Sequence, residues 1–247
     1  MTRFFSNFWD LFLIQLANWR WSWAATLING LLVPLTTFFF FKLLATSGNA
    51  EQDLYLLSGN IIVSLLFTTM YGTCARFSFM RTFGVLDYYA TLPVYKGLLV
   101  LAVNAGFLVL TLPTALLTVL MGQYIFNITI SLSPLFLLLV PLASFSLSAV
   151  GALVGVTAPN FDTATSISGV LQFLFMGLSP ILIAADRLPE VVQWIGKVLP
   201  STYAAEALRL SLIGQFNEKF WLDVVILLVI NTLIMLYVGS KMEWRSA

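Results

Sequence analysis

The side chains best suited to polar chemistry in this chain fall in one short stretch, residues 76–97, between two long apolar runs. The stretch carries three positive side chains, Arg76, Arg81 and Lys96, against one acid, Asp87. A charge at the centre of a bilayer costs about 2.5–3.5 kcal/mol on insertion scales. The stretch is therefore expected at a water-facing surface, and its excess of positive charge favours the cytoplasmic one.

The residue types that most catalytic sites need are scarce in this sequence. The chain has no histidine and one cysteine, Cys74, and it contains no G-x-x-x-x-G-K-[ST] motif. A Ser/His/Asp triad cannot be built without histidine, and no clustered metal ligands or Walker A nucleotide site can be found. Cys74 is expected to be a small packed residue. We therefore expect no metal, no cofactor and no catalytic residue in this chain, which disfavours a membrane enzyme acting on lipids.

The composition places the chain in the membrane. Of its 247 residues 60% are hydrophobic and only 9% are charged, whereas a soluble domain carries about 25% charged residues. This predicts an all-α, polytopic membrane protein with one transmembrane domain over residues 1–247. The net charge of +1 gives no sign of a nucleic-acid partner, and the first twenty residues lack the pattern of a secretory signal.

Hydrophobic runs and their period predict seven membrane-associated helices. Residues 3–20 place aromatic and aliphatic side chains at helical spacing and favour an amphipathic helix in the membrane interface, the alternative being the start of the first span. A span needs roughly 20 apolar residues. The six candidate spans are residues 22–43, 54–75, 97–121, 134–158, 164–185 and 221–240.

The distribution of lysine and arginine predicts the orientation. With both termini in the cytoplasm, the cytoplasmic positive residues are Arg3, Arg20, Arg76, Arg81, Lys96, Lys241 and Arg245. The external ones are Lys42, Arg187, Lys197, Arg209 and Lys219. Most of the external ones fall in the long connector 186–220, where the positive-inside rule is weak, so the short loops favour this orientation.

The connector 186–220 has a mixed composition that suits neither a free loop nor a span. It predicts two short helices separated by Pro200, which dip back into the outer leaflet or, alternatively, lie on the membrane surface. Glu206 and Arg209 are three residues apart on the second helix, so they could pair, which would lower the cost of burying their charges.

The spans contain a few polar and small residues with two interpretations each. Asn60, Asn104 and Gln172 are candidates for a substrate path, although an interhelical hydrogen bond is the more usual role of such residues. Gly151 and Gly155 form a GxxxG pattern that favours close packing within the chain, with a dimer seam as the alternative.

Three local patterns resemble those of ABC-2 type exporter permeases. Together with the order of the predicted spans, the resemblance covers essentially the whole chain. The first runs from Arg81 through Gly84, Leu86, Asp87 and Thr91 to Pro93-Val94, and is similar to the family's R-x-x-G-T-L-E-x-L-x-x-T-P-V. The second is residues 158–162, APNFD, and the third is residues 199–209, LPSTYAAEALR. This chain departs from the first pattern at Val85, where the family often has threonine, and at Phe79-Met80, where it is usually more acidic.

The resemblance implies a permease subunit of an ATP-driven exporter in the bacterial inner membrane, for a drug, lipid or lipid-linked glycan. Two permease subunits, identical or different, would pair within the membrane lipid. They would bind two copies of a cytoplasmic ABC ATPase, which binds ATP and Mg²⁺. Residues 81–93 would form a coupling helix on the ATPase. The implied coupling residues are Arg81, Gly84, Asp87, Tyr88, Pro93 and Asp162. The implied external gate residues are Pro200, Tyr203, Glu206 and Arg209. The rival interpretation is a membrane assembly or scaffold protein that docks a cytoplasmic partner without transport.

Overall fold

The structure is a computed structural model that describes residues 2–18, 23–44, 50–92, 94–126, 130 and 133–241. The predictions on Pro93, Arg20 and Arg245 concern residues outside these ranges. The described secondary structure is entirely helical, which confirms the all-α prediction. The α-helices of the described part are α1 (Thr2–Asn18), α2 (Trp23–Leu44), α3 (Ala50–Leu65), α4 (Tyr71–Thr82), α5 (Val85–Thr91), α6 (Lys96–Phe126), α7 (Pro134–Thr157), α8 (Phe161–Leu178), α9 (Glu190–Gly196), α10 (Pro200–Leu212) and α11 (Glu218–Lys241).

Five helical stretches of the described part are long and apolar enough to cross a membrane: Trp23–Leu43, Gln52–Thr82, Lys96–Phe126, Pro134–Thr157 and Glu218–Lys241. Each overlaps one predicted span. The expected end of the second span at residue 75 is wrong, because α3, a π-helical segment (Leu66–Met70) and α4 form one continuous rod to Thr82. The polar side chains Arg76 and Arg81 do not interrupt this rod, since both have hydrogen-bond partners on neighbouring helices.

The predicted span 164–185 corresponds to α8, which starts earlier and ends at Leu178. Ser179, the residue before Pro180, has an extended backbone (φ −101°, ψ 146°), as expected because proline disfavours helical geometry in the preceding residue. At its start, the Asn160 side chain caps the helix by accepting a hydrogen bond of 2.8 Å from the Thr163 amide. Helix α8 is therefore displaced towards the N-terminus relative to the prediction and is 18 residues long.

The bundle has two ends, each held by its own apolar cluster. At one end, the α5 end, buried residues of α1, α4, α5, the start of α6 and the C-termini of α7 and α11 pack together, among them Leu11, Leu86 and Val238. At the other, the α10 end, the main cluster joins α10 to the ends of α2, α6 and the start of α11. Phe38 of α2 and Phe126 of α6 meet there edge to face, 5.5 Å apart.

Close backbone contact joins α7 to the long rod. A Cβ added at Gly151 would lie 2.1 Å from the Met70 carbonyl oxygen, and one added at Gly155 would lie 2.6 Å from the Cys74 carbonyl oxygen. The predicted packing role of this GxxxG pattern within the chain is thus confirmed. Cys74 itself is buried and its thiol donates to the carbonyl of Ala164 at 3.3 Å, as expected of a packed residue.

Helix α1 is separate from the first span and packs against α6. Leu11 and Gln15 are buried, and Gln15 lies against Gly106, where an added Cβ would be 3.2 Å from the Gln15 Cβ. The opposite side exposes Phe5, Trp9 and Leu13. An amphipathic helix with an apolar exposed side suits the membrane interface predicted for residues 3–20.

Candidate functional site

Helix α5 is a short surface helix whose start is fixed by a glycine turn. After α4 ends at Thr82, Gly84 takes a left-handed conformation (φ 69°) that an L side chain rarely adopts. The predicted coupling helix 81–93 is therefore shorter in the structure, where Val85–Thr91 is helical and Arg81 belongs to the preceding helix. Asp87 is exposed in its first turn, and Phe83 and Tyr88 are 64% and 63% exposed.

The other side of α5 is seated in the bundle. Leu86 and Tyr89 are buried in the cluster at the α5 end, together with residues of α1, α6, α7 and α11. Burial raises the pKa of the Tyr89 phenol, although the nearby Arg76 charge opposes the shift. A displacement of α5 would therefore be transmitted to several long helices at once, because packed interiors transmit strain.

Arg81 fixes the end of α7. Its Nη1 atom donates to the carbonyl oxygens of Val156 and Ala158, at 2.9 and 2.8 Å. These are terminal carbonyls of α7, where a cation is stabilised by the unsatisfied C=O groups. The side chain predicted to contact a partner thus holds the α7–α8 turn in place, and any role in coupling is that of a positioning residue.

Asp162 lies on the same side of the bundle, just after that turn. It is exposed in the first turn of α8, and Arg81 connects α4 to Ala158 four residues earlier. The exposed residues Asp87 and Tyr88 of α5 and Asp162 of α8 therefore belong to elements that Arg81 and the apolar cluster fix relative to each other.

Helix α10 is buried among long helices. Pro200, at its first turn, and ten of its thirteen residues in all are buried. Two hydrogen bonds fold α10 against the end of α9: Thr202 Oγ1 donates to the carbonyl of Gly196 at 2.6 Å, and the Tyr203 hydroxyl to that of Lys197 at 2.5 Å. The prediction of two short helices in residues 186–220 is confirmed.

The pair that the spacing of Glu206 and Arg209 allows does not form. Arg209 points into the bundle and is 8% exposed, with Nε donating to Ser58 Oγ at 3.1 Å and the guanidinium 3.4 Å from the centre of the Tyr55 ring. Glu206 accepts from Lys219 of α11 at 3.1 Å instead. The two residues diverge because α10 is enclosed on the Arg209 side and borders α11 on the other.

Asp223 is a buried acid near the start of α11. It is 1% exposed in α11, and its Oδ2 has no hydrogen-bond partner among the described residues. The signal available in the sequence was its position inside the predicted span 221–240, where a carboxyl group is costly and therefore unusual.

The three interior amides form contacts between helices. Asn60 accepts a hydrogen bond from Thr37, and Gln172 Nε2 donates to the Leu66 carbonyl of the π segment at 3.0 Å. Asn104 Nδ2 lies 3.8 Å from the Met235 sulfur. All three are buried, which agrees with the interhelical role, while contact with a substrate stays a prediction.

The fold and site together define a multi-pass helical membrane protein with a short surface helix, α5, packed in an apolar cluster at the ends of its long helices. No cluster of metal-binding side chains occurs among the residues that the structure describes. The sequence profile of the ABC-2 type transporter family matches residues 2–213. The chain therefore belongs to the ABC-2 type transporter family, as the resemblance implied, and is a membrane component of a transporter. A search of curated proteins gave no match.

Proposed function

We propose that this chain is the permease subunit of an ATP-driven exporter, with a separate cytoplasmic ABC ATPase that docks on α5. The observation that carries the proposal is the two-sided character of α5. One side exposes Asp87 and Tyr88, and the other side is buried through Leu86 and Tyr89 in a cluster with residues of five other helices. Closure of two ATPase subunits on ATP and Mg²⁺ would move α5, and the bundle would follow.

The proposed topology has six spans with both termini in the cytoplasm. Helix α8, with 18 residues, is about 27 Å long at 1.5 Å per residue, close to the roughly 30 Å hydrocarbon core. Its passage is supported by its ends: Phe161 follows the turn held by Arg81 at the α5 end, and Ile181, soon after the helix, lies in the α10-end cluster. The α5 end is then cytoplasmic and the α10 end external.

In this proposal α9 and α10 form the re-entrant external gate. Backbone that enters a membrane without crossing it must be buried in protein, and the burial of α10 meets that condition. Arg209 joins α10 to α3 through Ser58 and Tyr55, so opening of the gate requires these contacts to change. A second permease subunit completes the pathway for an amphipathic or hydrophobic substrate.

The test is ATP-driven transport in proteoliposomes that contain the permease with its co-purified ATPase and a phospholipid carrying a fluorescent NBD group. Replacement of Asp87 by Asn together with Tyr88 by Ala should abolish ATP-dependent movement of the probe, because the docking surface is altered while the partner still hydrolyses ATP. The control is Arg187→Gln, an exposed residue at the α10 end, which should transport normally. Normal transport by the double variant would contradict the proposal.

A further inference from the structure

A cavity of about 480 Å³ lies along one side of the long Gln52–Thr82 helix, bordered also by α1, α2, α6 and the start of α8. This helix contributes Phe67, Tyr71, Ala75 and Phe79, which recur every four residues and therefore share one side. They extend over about 18 Å at 1.5 Å per residue. Pockets for small molecules have volumes of about 300–1,000 Å³, so the space is sufficient for a ligand.

The cavity wall carries one positive charge. It belongs to Arg76, and Asn18 of α1 also lines the cavity. The Arg76 Nε donates to Gln15 Oε1 at 3.0 Å, which fixes the guanidinium, while the two terminal nitrogens carry its four other N–H donors. None of the described lining residues is acidic. The charge of Arg76 is therefore not balanced by a carboxylate within the cavity wall.

Aromatic side chains form part of the cavity wall, beside four polar residues, Asn18, Thr26, Asn29 and Thr68. Phe67 and Phe107 are among the aromatic ones, and Gly72 allows the Phe107 ring to lie against the helix backbone, since an added Cβ would be 2.2 Å from Phe107 Cε1. The cavity thus combines one cation with aromatic surface, which matches a molecule with an anionic head and an apolar body.

A second observation points to a polar occupant on the same side. Asn29, in the predicted first span, borders the cavity and is exposed, as is Tyr71 across from it. An amide exposed to hydrocarbon without a hydrogen-bond partner is unfavourable. Asn29 is accordingly placed to contact water or polar atoms of a ligand, in addition to Arg76.

We propose that this cavity binds an amphiphile with an anionic headgroup, held by Arg76, with its apolar part against Phe67 and Phe107. The fork of donors on arginine suits phosphate and carboxylate oxygens. The position of the headgroup in the membrane rests on the proposed function, because a cytoplasmic α5 end places Arg76 near the inner headgroup layer. It narrows the substrate class from amphipathic in general to anionic.

The test is binding to the purified full chain in dodecyl maltoside micelles, measured by native mass spectrometry. The probes are didecanoyl phosphatidic acid, didecanoyl glycerol, which has the same chains without charge, and inorganic phosphate alone. The wild type should bind phosphatidic acid at least tenfold more tightly than the glycerol, and phosphate alone should bind too weakly to compete. Arg76→Gln should remove this preference, while Lys42→Gln, an exposed cation elsewhere on the chain, should retain it.

A second variant protects the test against misfolding of Arg76→Gln. Ala75→Phe keeps the cation but fills the cavity, so it should bind neither lipid probe while eluting as a single species in gel filtration. The proposal is overturned if Arg76→Gln keeps the full preference, if Ala75→Phe binds phosphatidic acid like the wild type, or if phosphate alone displaces it. Since no ATPase is present, this result is independent of whether α5 couples to one.

Discussion

Three arginines show how residues that look alike in sequence have different structural roles. Arg81 holds the terminal carbonyls of α7, Arg209 is buried between α10 and α3, and Arg76 borders a cavity beside α1. Their hydrogen-bond partners are 28 to 151 residues away along the chain. The sequence singles out these residues because charge is rare in apolar surroundings, but it does not contain the distant contacts that determine their roles.

The first prediction concerns Arg209. Arg209→Ala should lower the stability of the chain by about 1–3 kcal/mol, because Ser58 and the nearby carbonyl of Ile181 lose a buried donor. The measurement is the thermal unfolding midpoint in detergent, followed by fluorescence-detected gel filtration. Arg187→Ala is the matched control, since Arg187 is exposed, and should leave the midpoint unchanged. Equal unfolding midpoints for both variants would show that the Arg209 contacts contribute nothing to the stability of the chain.

At the scale of elements, the tight seam between α7 and the long rod was predictable and the irregular segment inside the rod was not. The GxxxG spacing of Gly151 and Gly155 is visible in the sequence and predicts close approach. The π-helical turns at Leu66–Met70 have no such mark. The Leu66 carbonyl accepts the Tyr71 amide within this segment and also a hydrogen bond from Gln172 of α8, a contact that the sequence does not reveal.

The second prediction tests this seam with one methyl group. Gly151→Ala should destabilise the bundle by about 1–3 kcal/mol, because the new Cβ would overlap the Met70 carbonyl and force the helices apart. The matched control is Gly169→Ala on α8, where an added Cβ meets nothing within 4 Å. Urea or thermal unfolding followed by circular dichroism separates the two variants. A seam that tolerates alanine at residue 151 as well as at residue 169 would not be the close contact described.

At the scale of the whole molecule, the bundle is organised as two ends joined by long helices. Composition and periodicity predict the all-α membrane class and the long apolar helices. Inside a bilayer, backbone polar groups must form hydrogen bonds within the protein, and apolar side chains must face the lipid. Composition and periodicity do not predict that the rod continues to Thr82, that α8 stops before Pro180, or that α10 is enclosed. Each of these depends on contacts between elements far apart in the chain.

The position of α5 at one end of the bundle supports its proposed role in coupling. The apolar cluster in which α5 is buried also includes the C-terminal parts of α7 and α11 and the start of α6. At the far end, Arg209 and the bonds from Tyr203 and Thr202 hold α10 in its enclosed position. In the proposed mechanism, movement of α5 would reach the proposed gate at α10 through the long helices that join the two ends.

The most direct measurement of the central claim is site-specific photo-crosslinking in cells that express the permease with its ATPase. Benzoylphenylalanine replaces Tyr88 on α5 or, as the control, Trp194 on α9, a residue equally exposed at the opposite end. Irradiation should join the permease to the ATPase from position 88 and give no such product from position 194. No product from position 88 in membranes that contain the ATPase, or equal yields from both positions, would contradict docking on α5.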